Sequence, residues 1–216
     1  MYKNYVQSCE ANILLEGLVS RAVFFAAIIV FDLVFDDYDS SASLGEFGAL
    51  RSCEIVLESS SQYVRGGEVR TPTRLEGLAV WDSAFFVRIA QCGYEFEQSQ
   101  AFFPGLPFLC WVLTRTLLSP FLAFAGERGT LVLSGLLITN SSFILAALLL
   151  YRLSRRVLGS ERLARASASA FCWNPASVFF SAVYTESPYA AAAFGGMLAL
   201  ESGRLAASAA AFAASA

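Results

Sequence analysis

The chain has 216 residues, of which 56% are hydrophobic and 15% charged, whereas a soluble domain carries about 25% charged residues. Fifteen Lys and Arg against eighteen Asp and Glu leave a net charge of −3, so the basic face of a nucleic-acid binder is not expected. Histidine is absent, which excludes His-ligated zinc and the Ser-His-Asp and Cys-His forms of catalysis from this chain.

Chemistry here must therefore rest on carboxylates, arginines, hydroxyls or thiols. The five cysteines, Cys9, Cys53, Cys92, Cys110 and Cys172, form no CxxC pair, and an odd number cannot close a disulfide framework. Cys110 and Cys172 sit in apolar runs and read as small buried hydrophobes. Only Cys53 and Cys92 suit an oxidising compartment, where one bridge could join them.

A first membrane helix is predicted at about residues 13–35, built on Ala22–Phe31 and continued by Leu33-Val34-Phe35. Glu16, Arg21 and Asp32 read as its flanking charges. Residues 36–101 form an acidic loop region. Between 36 and 80 it carries Asp36, Asp37, Asp39, Glu46, Glu54, Glu58, Glu68 and Glu76 against Arg51, Arg65, Arg70 and Arg74. Its Ser-rich and Arg65-Gly66-Gly67 stretches are loop punctuation.

Trp81–Tyr94 reads as a short amphipathic helix lying at the membrane interface. Phe85, Ile89 and Cys92 would share one face, and Arg88, Gln91 and Glu95 the other. Asp82 stands at its start, where an N-cap is the commoner outcome because caps are frequent and catalysts rare. Trp81 beside it sets an aromatic at interface depth. The Ala101–Pro107 stretch, with Pro104 and Pro107, either breaks a helix close to the membrane or simply leads into one.

Further membrane helices are predicted over about 102–216. Gly129–Tyr151 is 23 residues without a charge, enough to cross a bilayer core. Residues 152–165 follow with Arg152, Arg155, Arg156, Arg162 and Arg165 against Glu161 alone. The positive-inside rule puts this loop in the cytosol and the acidic loop outside. The two assignments cannot both hold if 102–126 and 129–151 each cross once. Either 102–126, with Pro104, Pro107, Arg115 and Pro120, is broken or re-entrant, or the charge rule does not apply.

Ala166–Thr185 is again uncharged but is interrupted at Asn174-Pro175. A membrane tolerates such a break only where protein or water satisfies the freed backbone groups. Glu186 is then a carboxylate in or beside the bilayer, either functional or a plain helix-boundary residue.

Trp81-Asp82 with Ala101–Pro107, and Asn174-Pro175-Ala176-Ser177 through Thr185-Glu186-Ser187, resemble the GPI mannosyltransferase 2 (PIG-V type) family. The resemblance runs from about residue 13 to about residue 204. It implies an all-α, polytopic glycosyltransferase of the GT-C type in the endoplasmic-reticulum membrane, with a lumenal active site. The implied reaction moves mannose from dolichyl-phosphate-mannose to the glycosylphosphatidylinositol precursor, adding the second mannose through an α-1,6 link.

No cofactor or metal is implied. The implied partners are the two lipid-linked substrates, membrane lipid and a small membrane subunit, with no nucleic acid. An acidic residue of the first lumenal loop acts as base in GT-C enzymes, and Asp82 and Asp37 match that role. Family members often carry Pro-Asp at the second place, where this chain has Phe35-Asp36-Asp37. Arg88 is the candidate cation for the leaving phosphate, and Trp81, Asn174 and Glu186 are candidates for substrate contact.

Family members continue well beyond the Ala/Ser run 206–216, so the chain is expected to be an incomplete form without activity of its own. The alternative is a non-catalytic scaffold or assembly partner within a glycosylation complex. A small transporter would also suit Asn174-Pro175 and Glu186, but no internal inverted repeat supports one.

Overall fold

The computed structural model describes residues 2–34, 78–95 and 97–215. Among them are seven α-helices and no strand: α1 (Tyr2–Val34), α2 (Asp82–Cys92), α3 (Gly105–Arg115), α4 (Leu122–Leu158), α5 (Glu161–Cys172), α6 (Glu186–Glu201) and α7 (Leu205–Ser215). Short 3-10 turns lie at Glu97–Ala101, Ser119–Phe121 and Pro175–Val178. The chain forms two compact units, one of Met1–Asp37 with Leu136–Ala216 and one of Tyr38–Gly135. The boundary falls inside α4, so each unit is described with its own stretch of that helix.

In the first unit α1 begins at Tyr2 rather than at the predicted residue 13. The extra turns are held by packing: Cys9 and Ile13 are buried in the core, and the Glu10 carboxylate accepts two 2.8 Å bonds from the Arg152 guanidinium. Residues of α1 at 9, 13, 16, 20 and 21 recur at the spacing of one helical face, and that face meets the rest of the unit. The opposite side carries exposed Leu15, Leu18, Val23, Val30 and Phe31. Water would not favour so large an apolar surface, whereas a bilayer would.

Among the described residues two stretches, Tyr5–Phe31 and Ser119–Leu158, are long and apolar enough to cross a membrane. The predicted 129–151 segment lies wholly inside α4. Glu10 meets Arg152, Gly17 faces Ile144 and Arg21 lies on Phe143, so α1 and the 136–158 part of α4 run antiparallel. The N-terminal end of α1 therefore shares one end of the unit with the Arg-rich end of α4.

Helix α5 runs beside α1 in the same direction, with Ser169 on Glu16 and Cys172 on Ser20. Ser160 caps it, its Oγ accepting from Leu163 N. Helix α6 returns along α4. Ala190 and Ala191 pack on Ala146, and Arg156 reaches Ser202 at the Arg-rich end. Helices α6 and α7 pack closely where Gly196 has no Cβ; one built there would fall 2.9 Å from the Phe212 ring.

In the second unit the 102–126 region is broken. Helix α3 has 11 residues, about 16 Å at 1.5 Å per residue and too short to span alone. It ends in a turn at 116–118 and a 3-10 turn carrying Pro120. The backbone then bends again at Gly126, whose φ of 70° lies in the left-handed region that glycine tolerates. Thr114 and Ser134 close this unit's interior through a 2.6 Å hydroxyl bond.

Candidate functional site

The predicted site residues fall into two sets, one in each unit. In the second unit, Asp82 is the first residue of α2 and is exposed. The N-cap position belongs instead to Trp81, and no side chain caps this helix. The cap reading of Asp82 is thereby displaced: its carboxylate adds charge to the positive end of the helix and leaves its oxygens to the surface. Trp81 takes φ of 55°, the one described non-glycine residue with positive φ, and its ring is exposed. Such a backbone costs of order 1–3 kcal/mol and persists only when its surroundings impose it.

The helix buries Ser83, Phe86, Val87, Arg88, Ile89 and Ala90. This corrects the predicted faces, because Arg88 turns inward rather than lying on a polar side. Its charge is met by Glu95, with Nε 2.6 Å and Nη2 3.0 Å from the two carboxylate oxygens. A two-point arginine–carboxylate pair of this kind fixes geometry as well as charge. Phe85 stacks on Phe102 at 4.6 Å, and Phe86 meets the same ring edge-on at 5.1 Å. Phe102 thus ties the Asp82 helix to the Ala101–Pro107 stretch. A shallow cleft of about 270 Å³ opens there, lined by Tyr94, Gln100, Phe102, Phe103 and Pro104. It is smaller than the roughly 300–1,000 Å³ of small-molecule pockets and suits a single ring or headgroup.

Cys92, at the end of α2, is disulfide-bonded. Cys9, Cys110 and Cys172 are free, buried thiols, as read for the last two, and Cys53 lies outside the described residues. Asp37, with the rest of the Asp36–Asp39 cluster, also lies outside them.

In the first unit, Asn174 and Glu186 bracket the break between α5 and α6. Asn174 Oδ1 accepts from Ala176 N at 2.8 Å and starts the 3-10 turn. Glu186 opens α6 and is exposed. The freed backbone groups of the break are satisfied by protein. Ser20 Oγ donates to Cys172 O at 2.6 Å, Arg21 Nη1 donates to Ser177 O at 2.8 Å and to Ser181 Oγ at 2.9 Å, and Arg21 Nη2 donates to Ser177 Oγ. Asn140 from α4 accepts from Ser181 Oγ at 3.1 Å. Glu16 accepts from Ser169 Oγ and from Trp173 Nε1.

Glu16 and Arg21, which read from the sequence only as flanking charges, both contact the break or its edge, Arg21 buried and Glu16 half-buried. Their charged character inside an apolar helix was the available signal. Among the described residues, no group of three or more Cys, Asp or Glu side chains could hold a metal ion.

A family described as Mannosyltransferase (PIG-V) matches residues 11–216. The chain belongs to the PIG-V mannosyltransferase family. It is 40% identical to the GPI alpha-1,6-mannosyltransferase 2 of Rattus norvegicus over 130 residues, 60% of this chain and 26% of that protein. The human protein of that name is 38% identical over 131 residues, 61% of this chain and 26% of the relative. The GPI mannosyltransferase 2 of Chaetomium globosum is 33% identical over 189 residues, 82% of this chain and 37% of the relative. The chain thus matches between about a quarter and a little over a third of the length of these PIG-V relatives. No solved structure matches it. Trp81, Asp82, Arg88, Asn174 and Glu186 all lie within the PIG-V region.

Proposed function

We infer that this chain is part of a GT-C-type mannosyltransferase of the endoplasmic-reticulum membrane. The reaction transfers mannose from dolichyl-phosphate-mannose to the glycosylphosphatidylinositol precursor and adds the second mannose through an α-1,6 link. The observation that carries this reading is the family match across residues 11–216, which spans every candidate side chain on both units. The all-helical architecture with two long apolar helices supports the GT-C assignment.

The acceptor hydroxyl is a poor nucleophile until a carboxylate takes its proton as the new C–O bond forms. Asp82 suits that role because it stands exposed at the mouth of α2, so a hydroxyl can reach it without unfolding the helix. Asp37 is the second carboxylate of the proposal. As the mannosyl–phosphate bond breaks, the lipid phosphate leaves with the bonding pair, and a fixed cation favours that charge. Arg88 serves the phosphate only by sharing its guanidinium with Glu95; otherwise it fixes the far end of the Asp82 helix. Trp81 offers an exposed aromatic face at headgroup depth, and within the first unit Asn174 and Glu186 are separate candidates for substrate contact.

The break within 102–126 supports a topology in which both charge assignments hold. If α1 crosses the bilayer once and α4 crosses back, while the broken 102–121 region does not cross, both loops obey the positive-inside rule. The Arg-rich 152–165 loop is then cytosolic and residues 36–101 are lumenal. The disulfide at Cys92 agrees with an oxidising lumen on that side. An N-glycosylation acceptor inserted after Gln98 is expected to be glycosylated, and one inserted at Ser160 is not. The reverse pattern would invert the topology.

The functional test is rescue of cells lacking the PIG-V enzyme. A full-length protein carrying this segment should restore GPI-anchored proteins to the cell surface. Stable, correctly localised protein without rescue would count against the assignment.

A further inference from the structure

We propose that Arg21 is a positioning residue: from α1 it sets the geometry of the Trp173–Thr185 break and thereby aims Asn174 and Glu186 at substrate. The proposal rests on the reading of that segment as substrate-facing and goes beyond it by naming what holds the segment in place.

Arg21 is only 4% exposed, and among the described residues no carboxylate pairs with it. Neutral oxygens alone meet its charge. Ser177 supplies both its carbonyl and its hydroxyl, and Ser181 and Ser20 supply hydroxyls. The guanidinium lies 3.6 Å over the centroid of the Phe143 ring, and Nε has no partner. A buried cation without an opposite charge is costly, so such a residue is a poor choice for stability alone. Apart from the bond to Ser20 on its own helix, the hydrogen bonds of its two Nη groups go to Cys172, Ser177 and Ser181, at and beyond the end of α5, where the fork spans two successive turns. Lysine could not do this, because an ammonium is a point charge rather than a planar fork.

Depth gives the arrangement its meaning. Arg21 is 11 residues beyond Glu10, about 17 Å along α1 at 1.5 Å per residue. If the Glu10–Arg152 pair marks the headgroup level, Arg21 and the break it holds lie near the middle of a core about 30 Å thick. Irregular backbone survives at that depth only where protein satisfies it. Arg21 and Ser20 are the side chains of α1 that do so.

The test uses a full-length protein carrying this segment, with a single cysteine introduced at Val183 in the break or at Ser208 on α7 as a control. Both positions are buried, as are the free native thiols among the described residues, so labelling reports opening. Arg21→Lys is expected to raise maleimide labelling at Val183→Cys by about fivefold or more, as local opening does. Labelling at Ser208→Cys should stay unchanged. In mannosyl transfer, Arg21→Lys should raise KM for the mannose donor about tenfold with kcat nearly unchanged, the signature of lost substrate binding.

Equal labelling at Val183→Cys in both backgrounds, or a parallel rise at both sites, would overturn the proposal. So would unchanged KM and kcat in an active protein. If labelling responds as expected but wild-type protein shows no transfer, the functional reading fails while the positioning of the break by Arg21 stands.

Discussion

Asp82→Asn in a full-length protein carrying this segment is expected to lower mannosyl transfer by about 10²- to 10⁴-fold, the usual worth of a positioned general base. Protein level and thermal stability should not change. Asp82 is exposed and makes no capping bond that the substitution could remove. A cap would behave in the opposite way, with stability falling by about 1 kcal/mol and the chemistry unaffected. Parallel measurements of transfer rate and melting temperature therefore separate the two roles. Asp82→Glu keeps the carboxylate but displaces it, and should recover only part of the rate.

Phe143→Ala is expected to be the most damaging single change to the first unit, at about 3–5 kcal/mol. Phe143 is fully buried. Its ring stacks on Phe171 at 4.7 Å, meets Phe180 at 5.5 Å and lies beneath Arg21. The truncation opens a cavity and also removes the aromatic face from a desolvated cation, a contact worth about 2 kcal/mol when buried. Two residues along the same helix Leu145 is exposed, and Leu145→Ala should fall within about 0.5 kcal/mol of wild type. Denaturant unfolding in detergent compares the two variants directly. Equal effects would mean that the cluster around Phe143 does not form the core.

Much of the architecture was legible because it depends on local pattern. The uncharged run 129–151 announced α4, the Asn174-Pro175 pair announced the break between α5 and α6, and the apolar spacing after Trp81 announced α2. The cysteines also sorted by their neighbours: Cys110 and Cys172 are buried thiols, while Cys92 is bridged.

What escaped the sequence depends on partners far along the chain. Arg21 finds Ser177 and Ser181 at separations of 156 and 160 residues. Glu10 finds Arg152 at 142. A charge in an apolar run reads as the end of a helix unless such a partner is known, which is why α1 was begun too late. Arg88 was misplaced for a related reason. Its partner Glu95 lies seven residues on, beyond Gly93, where helical spacing no longer governs direction. At the site, Asp82 and Trp81 were readable as residues, but the positive φ of Trp81 and the unused cap were not. Both depend on how α2 is packed rather than on which residues begin it.

The central claim is that this segment belongs to an enzyme that adds the second mannose with Asp82 as base. The most direct measurement supplies radiolabelled dolichyl-phosphate-mannose to membranes from cells lacking the endogenous enzyme, with wild-type or Asp82→Asn full-length protein carrying this segment. The wild-type membranes should convert the one-mannose GPI precursor to the two-mannose form with an α-1,6-mannosidase-sensitive label, and the Asp82→Asn membranes should accumulate the one-mannose precursor. Equal conversion by both proteins would contradict the role of Asp82, and accumulation of the one-mannose precursor with wild-type protein would contradict the function itself.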